Sequence, residues 1–277
     1  MRRLFTLVGV SALLVAPASA QHAVALRFEP PNGLVIRRVF QEHVRITVDE
    51  GPGSTPRVRE TAQLGGVTQS ALEVGDKTVL HVQLDSLRVR EREAGGDWRE
   101  RAVTMVEGAW VQLDADDRMQ LALRGRPDSL AEHLLVQLVA GVRGTVLPER
   151  PVRRGMQWRG RVEFPVGTEL GDGETALTVR MTYRVDSIVA RAHDTLVYLG
   201  LGGDAVPHGE RRPDGTVLDY RGTVTGALVW STGWSGIVSA ATRFSVQGEI
   251  RSRGAPEAVG RVHVDRTLRQ VVLPESP

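Results

Sequence analysis

The chain has 277 residues, of which 35 are basic and 33 acidic, a formal net charge of +2, and no cysteine. The missing cysteine excludes a disulfide framework, a thiolate metal site, a cysteine nucleophile and an acylated lipoprotein cysteine, so a 41% hydrophobic content must build the core unaided. Arg2 and Arg3 carry the whole net charge, and the remaining charges alternate in runs such as Arg88-Val89-Arg90-Glu91-Arg92-Glu93, which leaves no electrostatic footprint for nucleic acid.

In chain order, Met1-Arg2-Arg3, an apolar run from Leu4 to Ala16 and then Pro17-Ala18-Ser19-Ala20 have the three parts of an export signal, with cleavage expected between Ala20 and Gln21. The apolar run is too short to span a bilayer, so no stable membrane span is expected once the leader is removed. Arg2-Arg3-Leu4-Phe5 half-resembles a twin-arginine signal but lacks its polar lead-in, which favours the general secretory route. The expected location is the periplasm or the medium.

Residues 21–277 are then expected to form a single antiparallel β domain. Alternation with a period of two begins at once: Leu34, Ile36, Phe40, Val44, Ile46 and Val48 are apolar, with Arg37, Gln41, His43, Arg45, Thr47 and Asp49 between them. Gly51-Pro52-Gly53-Ser54 ends that strand, and further strands are predicted at 57–74, 77–91, 100–113 and 117–124, joined by short turns. A second run covers 157–164, 175–190, 194–201, 216–231, 236–251 and 258–273. Its clearest strand alternates Leu177, Val179, Met181, Tyr183 and Val185 with Thr178, Arg180, Thr182, Arg184 and Asp186.

One segment predicts a helix. Ser129-Leu130-Ala131-Glu132 has capping-box spacing, and Leu130, Leu134, Leu135, Leu138 and Val139 fall on one stripe that ends near Gly141 and Gly144. The organisation expected is therefore a β half at 21–127, a helix and linker at 128–156, and a β half at 157–277. The fold class is mainly β: a large, strongly curved, half-barrel-like antiparallel sheet of about ten to twelve strands with one central helix packed on it.

The linker reads Leu147-Pro148-Glu149-Arg150-Pro151-Val152-Arg153-Arg154-Gly155-Met156-Gln157-Trp158, where the prolines impose an extended path, Gly155 permits a tight turn and Trp158 begins a strand. This pattern resembles an LPxxPVxxGxxW connection of exported bacterial β-rich proteins that carry a domain of unknown function. These are similar in outline to the lipoprotein-localisation-factor fold, and the resemblance implies a curved antiparallel sheet with helices on its concave side. It assigns a catalytic role to no position.

Catalytic and metal chemistry find little support. Residues i and i+2 on a strand share a face, so His263 and Asp265 can point at one ion, and His208-Gly209-Glu210 and His193-Asp194 offer further donors, but no three ligands have the spacing of a known site. Gly233-Trp234-Ser235-Gly236 lacks the second glycine and the strand-to-helix context of a nucleophile elbow. Asp114, Asp116 and Asp117 lack the glycine and distal glutamate of a calcium loop. A membrane barrel would need aromatic girdles and a closing aromatic strand, whereas aromatics are 5% of the chain and it ends Pro274-Glu275-Ser276-Pro277.

No cofactor is expected. The functional expectation is non-catalytic binding of a lipid-like or other apolar ligand, or of an envelope partner, by burial on the concave face, with Leu177, Val179, Met181 and Tyr183 as candidate contacts and Trp234, at a loop tip, as a fifth. The same four strand residues can instead form a closed core beneath the helix. The two rival classes are a scaffolding envelope protein with a filled interior and a periplasmic hydrolase with a polar cleft.

Overall fold

The computed structural model describes residues 23–51, 53–74, 77–103, 109–113, 119–123, 146–165, 176–206, 208–211, 217–251 and 258–273, with backbone alone at 74, 77–79, 109–113, 119–123, 163–165, 176, 208–211, 218 and 259. The period-two segments form β1 (Val35–Asp49), β2 (Arg57–Val74), β3 (Lys77–Glu93), β4 (Arg99–Arg101), β5 (Ala109–Leu113), β6 (Met119–Leu123), β7 (Gln157–Pro165), β8 (Ala176–Ala190), β9 (Thr195–Ala205), β10 (His208–Arg211), β11 (Val217–Ser231), β12 (Gly236–Arg251) and β13 (Ala258–Val272).

All belong to one antiparallel sheet in the order β6-β5-β3-β2-β1-β13-β12-β11-β9-β8-β7, with β4 on β3 and β10 on β11. The first long strand pairs with the last, Val44 opposite Arg266, so sequence-distant strands share the middle of the sheet. The sheet is not closed: β6 and β7 are its two ends.

Register shifts in the β2–β3, β8–β9, β11–β12 and β12–β13 ladders bend their strands. Inward glycines let neighbours close in where the sheet bends. Phe40 lies over Gly65, where a Cβ would also stand 2.9 Å from the Ser86 carbonyl oxygen, and a Cβ on Gly222 would stand 2.8 Å from that of Ser245.

One face is apolar across seven strands. Val44, Val264, Val246, Tyr220, Val224, Leu228, Trp230, Leu199, Val179 and Val162 belong to a single buried cluster, while the opposite face carries Arg37, Arg45, Arg243 and Arg221. That polarity is the reverse of a barrel bathed in lipid.

The structure corrects the expected architecture. Among the described residues the sheet has thirteen strands where about ten to twelve were expected, because the segment 100–113 holds both β4 and β5, and because 208–211, read as loop around His208, pairs with β11. A three- or four-residue strand is stabilised by its neighbour and leaves no periodicity to detect. Nor is the helix packed on the sheet supported: among the described residues the chain is all β, and 129–139 lie outside them. Two irregular segments, 23–28 and 146–156, instead cover the apolar cluster through Leu26, Val152, Val24, Phe28, Val146, Leu147 and Met156.

Candidate functional site

Strand β1 buries every second residue, and two of those residues are charged. Between Ile36, Phe40 and Val44 the same face holds Arg38, 7% exposed, and Glu42, 3% exposed. Gln63, Gln69 and Gln270 are buried with them. The register sets Gln63 opposite Glu42, Gln69 opposite Ile36 and Gln270 opposite Phe40, which makes Gln69 and Gln270 the diagonal neighbours of Arg38. A polar band thus crosses an otherwise apolar face.

The band is electrostatically unbalanced. Glu42 accepts a hydrogen bond from Arg266, which is 15% exposed, so one carboxylate is committed to one guanidinium. Arg38 forms no ion pair among the described residues, and its Nε is buried without a hydrogen-bond partner. Its Nη2 reaches across β13 to within 4.0 Å of the place a Cβ would occupy on Gly236, beside Ile237 of the apolar cluster. Burial pushes the Arg38 guanidinium down to about 10, so it is still protonated at neutral pH.

The linker half of the cover is bonded to β8, where Gly155 N–H donates to the Val185 carbonyl at 2.8 Å and Val185 N–H to that of Met156 at 2.9 Å. Val24 and Val152 exchange two backbone hydrogen bonds, 2.9 and 2.7 Å, in an isolated bridge that ties segment 23–28 to the linker. The linker in turn is held by Trp158, whose Nε1 donates to the Val146 carbonyl at 2.6 Å, and by Tyr183, whose phenol hydrogen-bonds the Val146 backbone. Burial pushes that phenol upward, an effect the Val146 bond opposes. Gly155 turns at φ +82°, which the sequence anticipated, and Met156 N–H closes the turn on the Arg153 carbonyl at 3.0 Å.

Leu177, Val179, Met181 and Tyr183 all point into the buried cluster, with Tyr183 stacked on Trp158 at 5.2 Å between ring centroids. Trp234 is apart from them, half-buried in the β11–β12 turn. Ala20 and Gln21 lie outside the described residues, as do Asp114, Asp116 and Asp117. The sequence reading named none of the buried polar band. Its signal was present as the two gaps in the apolar series of β1, where Arg38 and Glu42 stand at positions the alternation turns inward.

The other candidates for chemistry are tied up structurally. His263 and Asp265 hydrogen-bond each other at 2.8 Å, with Arg243 3.4 Å from the same carboxylate. Among the described residues no three His, Asp or Glu side chains are grouped to hold a metal ion. Ser235 adopts φ +47° in a hairpin turn. Beneath it, Asp194 accepts hydrogen bonds from Gly233 N–H at 2.7 Å, the Ser231 hydroxyl at 2.7 Å and the Thr232 hydroxyl at 3.3 Å. A serine donating straight to a carboxylate with no imidazole between them is a clasp, here joining the β8–β9 and β11–β12 turns.

Burial raises the Asp194 carboxyl, but the bonds from Gly233, Ser231, Thr195 and Thr232 outweigh it and hold the group below its ordinary value. The clasp therefore contributes fully above the ordinary carboxylate range and is lost as pH falls through the lowered value. Asp194→Ala is expected to cost about 1–2 kcal/mol at neutral pH. In urea melts taken at successively lower pH, the gap between wild type and variant should narrow only below the ordinary carboxylate range; a gap unchanged down to strong acid would remove Asp194 from the clasp.

The outer face carries a shallow depression of about 330 Å³ lined by Gln41, His43, Thr225, Arg243, Thr267 and Arg269. Beside it Glu60 accepts from His43 at 3.1 Å and Arg92 at 2.9 Å, while Arg92 lies 4.7 Å over the Trp98 ring. This surface is open, and Ala241 and Leu268 stand among its polar side chains. No helix among the described residues is long and apolar enough to cross a membrane.

No family model and no curated protein matches the chain. Among solved structures, one described as "Lipid-protein interactions in lipovitellin" is similar over 89% of this chain at 13% identity, with a TM-score of 0.51. The chain spans 26% of that protein's length. At such identity the likeness is one of fold alone.

Proposed function

We propose that the protein is an exported, non-catalytic binder of a lipid-like ligand held on the inward face of its sheet. The observation that carries this reading is the construction of that face: apolar across seven strands and covered, among the described residues, by two irregular segments joined through a single bridge. A ligand that displaces Leu26 and Phe28 exchanges one set of apolar contacts for another and gains about 25 cal/mol for each Å² of its own surface taken from water. The lipid interactions named for lipovitellin support the same reading.

Extraction and mass spectrometry of protein purified from the periplasm without detergent tests it. A stoichiometric lipid or apolar metabolite is expected; a ligand-free protein that also fails to take up the neutral dye N-phenyl-1-naphthylamine would sink the proposal. Leu26→Ala separates cover from core. Loss of this buried side chain is expected to lower stability by about 2–4 kcal/mol and, because the cover competes with the ligand, to tighten dye binding. Dye affinity that falls together with stability would instead make segment 23–28 part of the core.

A further inference from the structure

Arg38 is a cation buried in the inward face with no counter-ion among the described residues. Taking a guanidinium from water without an acceptor is costly, so buried arginines are ordinarily paired. Glu42, the one buried carboxylate among the described residues, is occupied by Arg266. Arg38 stays protonated at neutral pH although it is buried and its Nε has no partner, and Gln69 and Gln270 bring amide groups to either side of it. Its guanidinium also adjoins Gly236 and Ile237, at the margin of the apolar cluster. Positive charge, amide donors and an apolar surface lie together here, and each matches one part of an anionic amphiphile.

We propose that Arg38, flanked by Gln69 and Gln270, receives the oxyanion head of an amphiphilic lipid whose chain lies on the apolar part of the same face. The inference rests on the lipid-binding reading above and narrows it from apolar ligands in general to those ending in a carboxylate or phosphate. A planar guanidinium takes an oxyanion through two parallel hydrogen bonds, so an uncharged head of the same size is discriminated against.

The test compares palmitate, hexadecanol and inorganic phosphate on the full protein and on Arg38→Met. Lipid binding is read by displacement of N-phenyl-1-naphthylamine and phosphate binding by calorimetry. Wild type should bind palmitate about ten- to a hundredfold more tightly than hexadecanol, the range expected for a hydrogen bond to a charged group. Arg38→Met should erase that preference and leave hexadecanol binding unchanged within about twofold. Because the variant removes a buried charge without orphaning a partner, it should fold, with a thermal midpoint at or above that of wild type; Arg38→Gln provides the same comparison should methionine pack badly.

Equal affinities for palmitate and hexadecanol in wild type, or a preference that survives in Arg38→Met, would overturn the head-group assignment and leave the apolar reading standing. Binding of neither lipid would overturn both. Phosphate bound as tightly as palmitate would assign Arg38 to a free anion and overturn the lipid.

Discussion

Replacing Glu42 by alanine is expected to lower the unfolding free energy by about 3–5 kcal/mol, the cost of leaving a buried charge without its partner. Glu42 is almost wholly buried, and Arg266, which donates to it, is only 15% exposed. Without the carboxylate, Arg266 loses the buried acceptor of its Nε, and no other carboxylate among the described residues is buried to replace it. The double variant Glu42→Leu with Arg266→Met should recover most of the loss, because apolar side chains of similar volume incur no desolvation penalty. Urea unfolding of Glu42→Leu, Arg266→Met and the double variant closes the cycle. If Glu42→Ala costs less than about 1 kcal/mol, as exposed pairs do, then the pair is solvated and the polar band is not buried.

Tyr183→Ala carries the second large effect, about 3–5 kcal/mol, through a mechanism that owes nothing to charge. The ring is buried in the cluster, stacked on Trp158, and its phenol bonds the Val146 backbone. Truncation leaves a cavity and removes one of the two aromatic side chains that hold Val146 of the linker, the other being Trp158 through the Val146 carbonyl. Tyr183→Phe keeps the stack and should cost only about 1 kcal/mol. Because both aromatics act on Val146, the Tyr183→Ala and Trp158→Ala losses should not add. Additive losses in thermal melts would mean that the two rings support different parts of the fold.

Legibility in the sequence followed the range of the interactions concerned. The long strands were readable because the period of two is local: β1, β2, β8, β11, β12 and β13 lie close to where alternation and turn residues put them. The three-residue β4 and four-residue β10 were not, since nothing in so few residues distinguishes a strand from a loop until a neighbour supplies hydrogen bonds. The linker was half legible. Its glycine turn followed from residue type, whereas the docking of Val146 against Gly160, Trp158 and Tyr183 depends on strands that meet only in the folded chain.

Legible in the residues alone were a β-rich chain without disulfide or thiolate chemistry and the two alternating faces of each long strand, but not which face turns inward, nor that Arg38 and Glu42 stand on the inward one. Alternation assigns a face because the pleat obliges it to, whatever the strand pairs with. Which strands meet is visible only in the folded chain. Pairing β1 with β13 brings Glu42 to Arg266 across 224 residues and sets Gln270 beside Arg38, while pairing with β2 sets Gln69 on its other side. No local pattern carries that information, because pairing is chosen by long-range registry and by the burial it permits, and it is this pairing that leaves Arg38 as a buried cation with no counter-ion among the described residues.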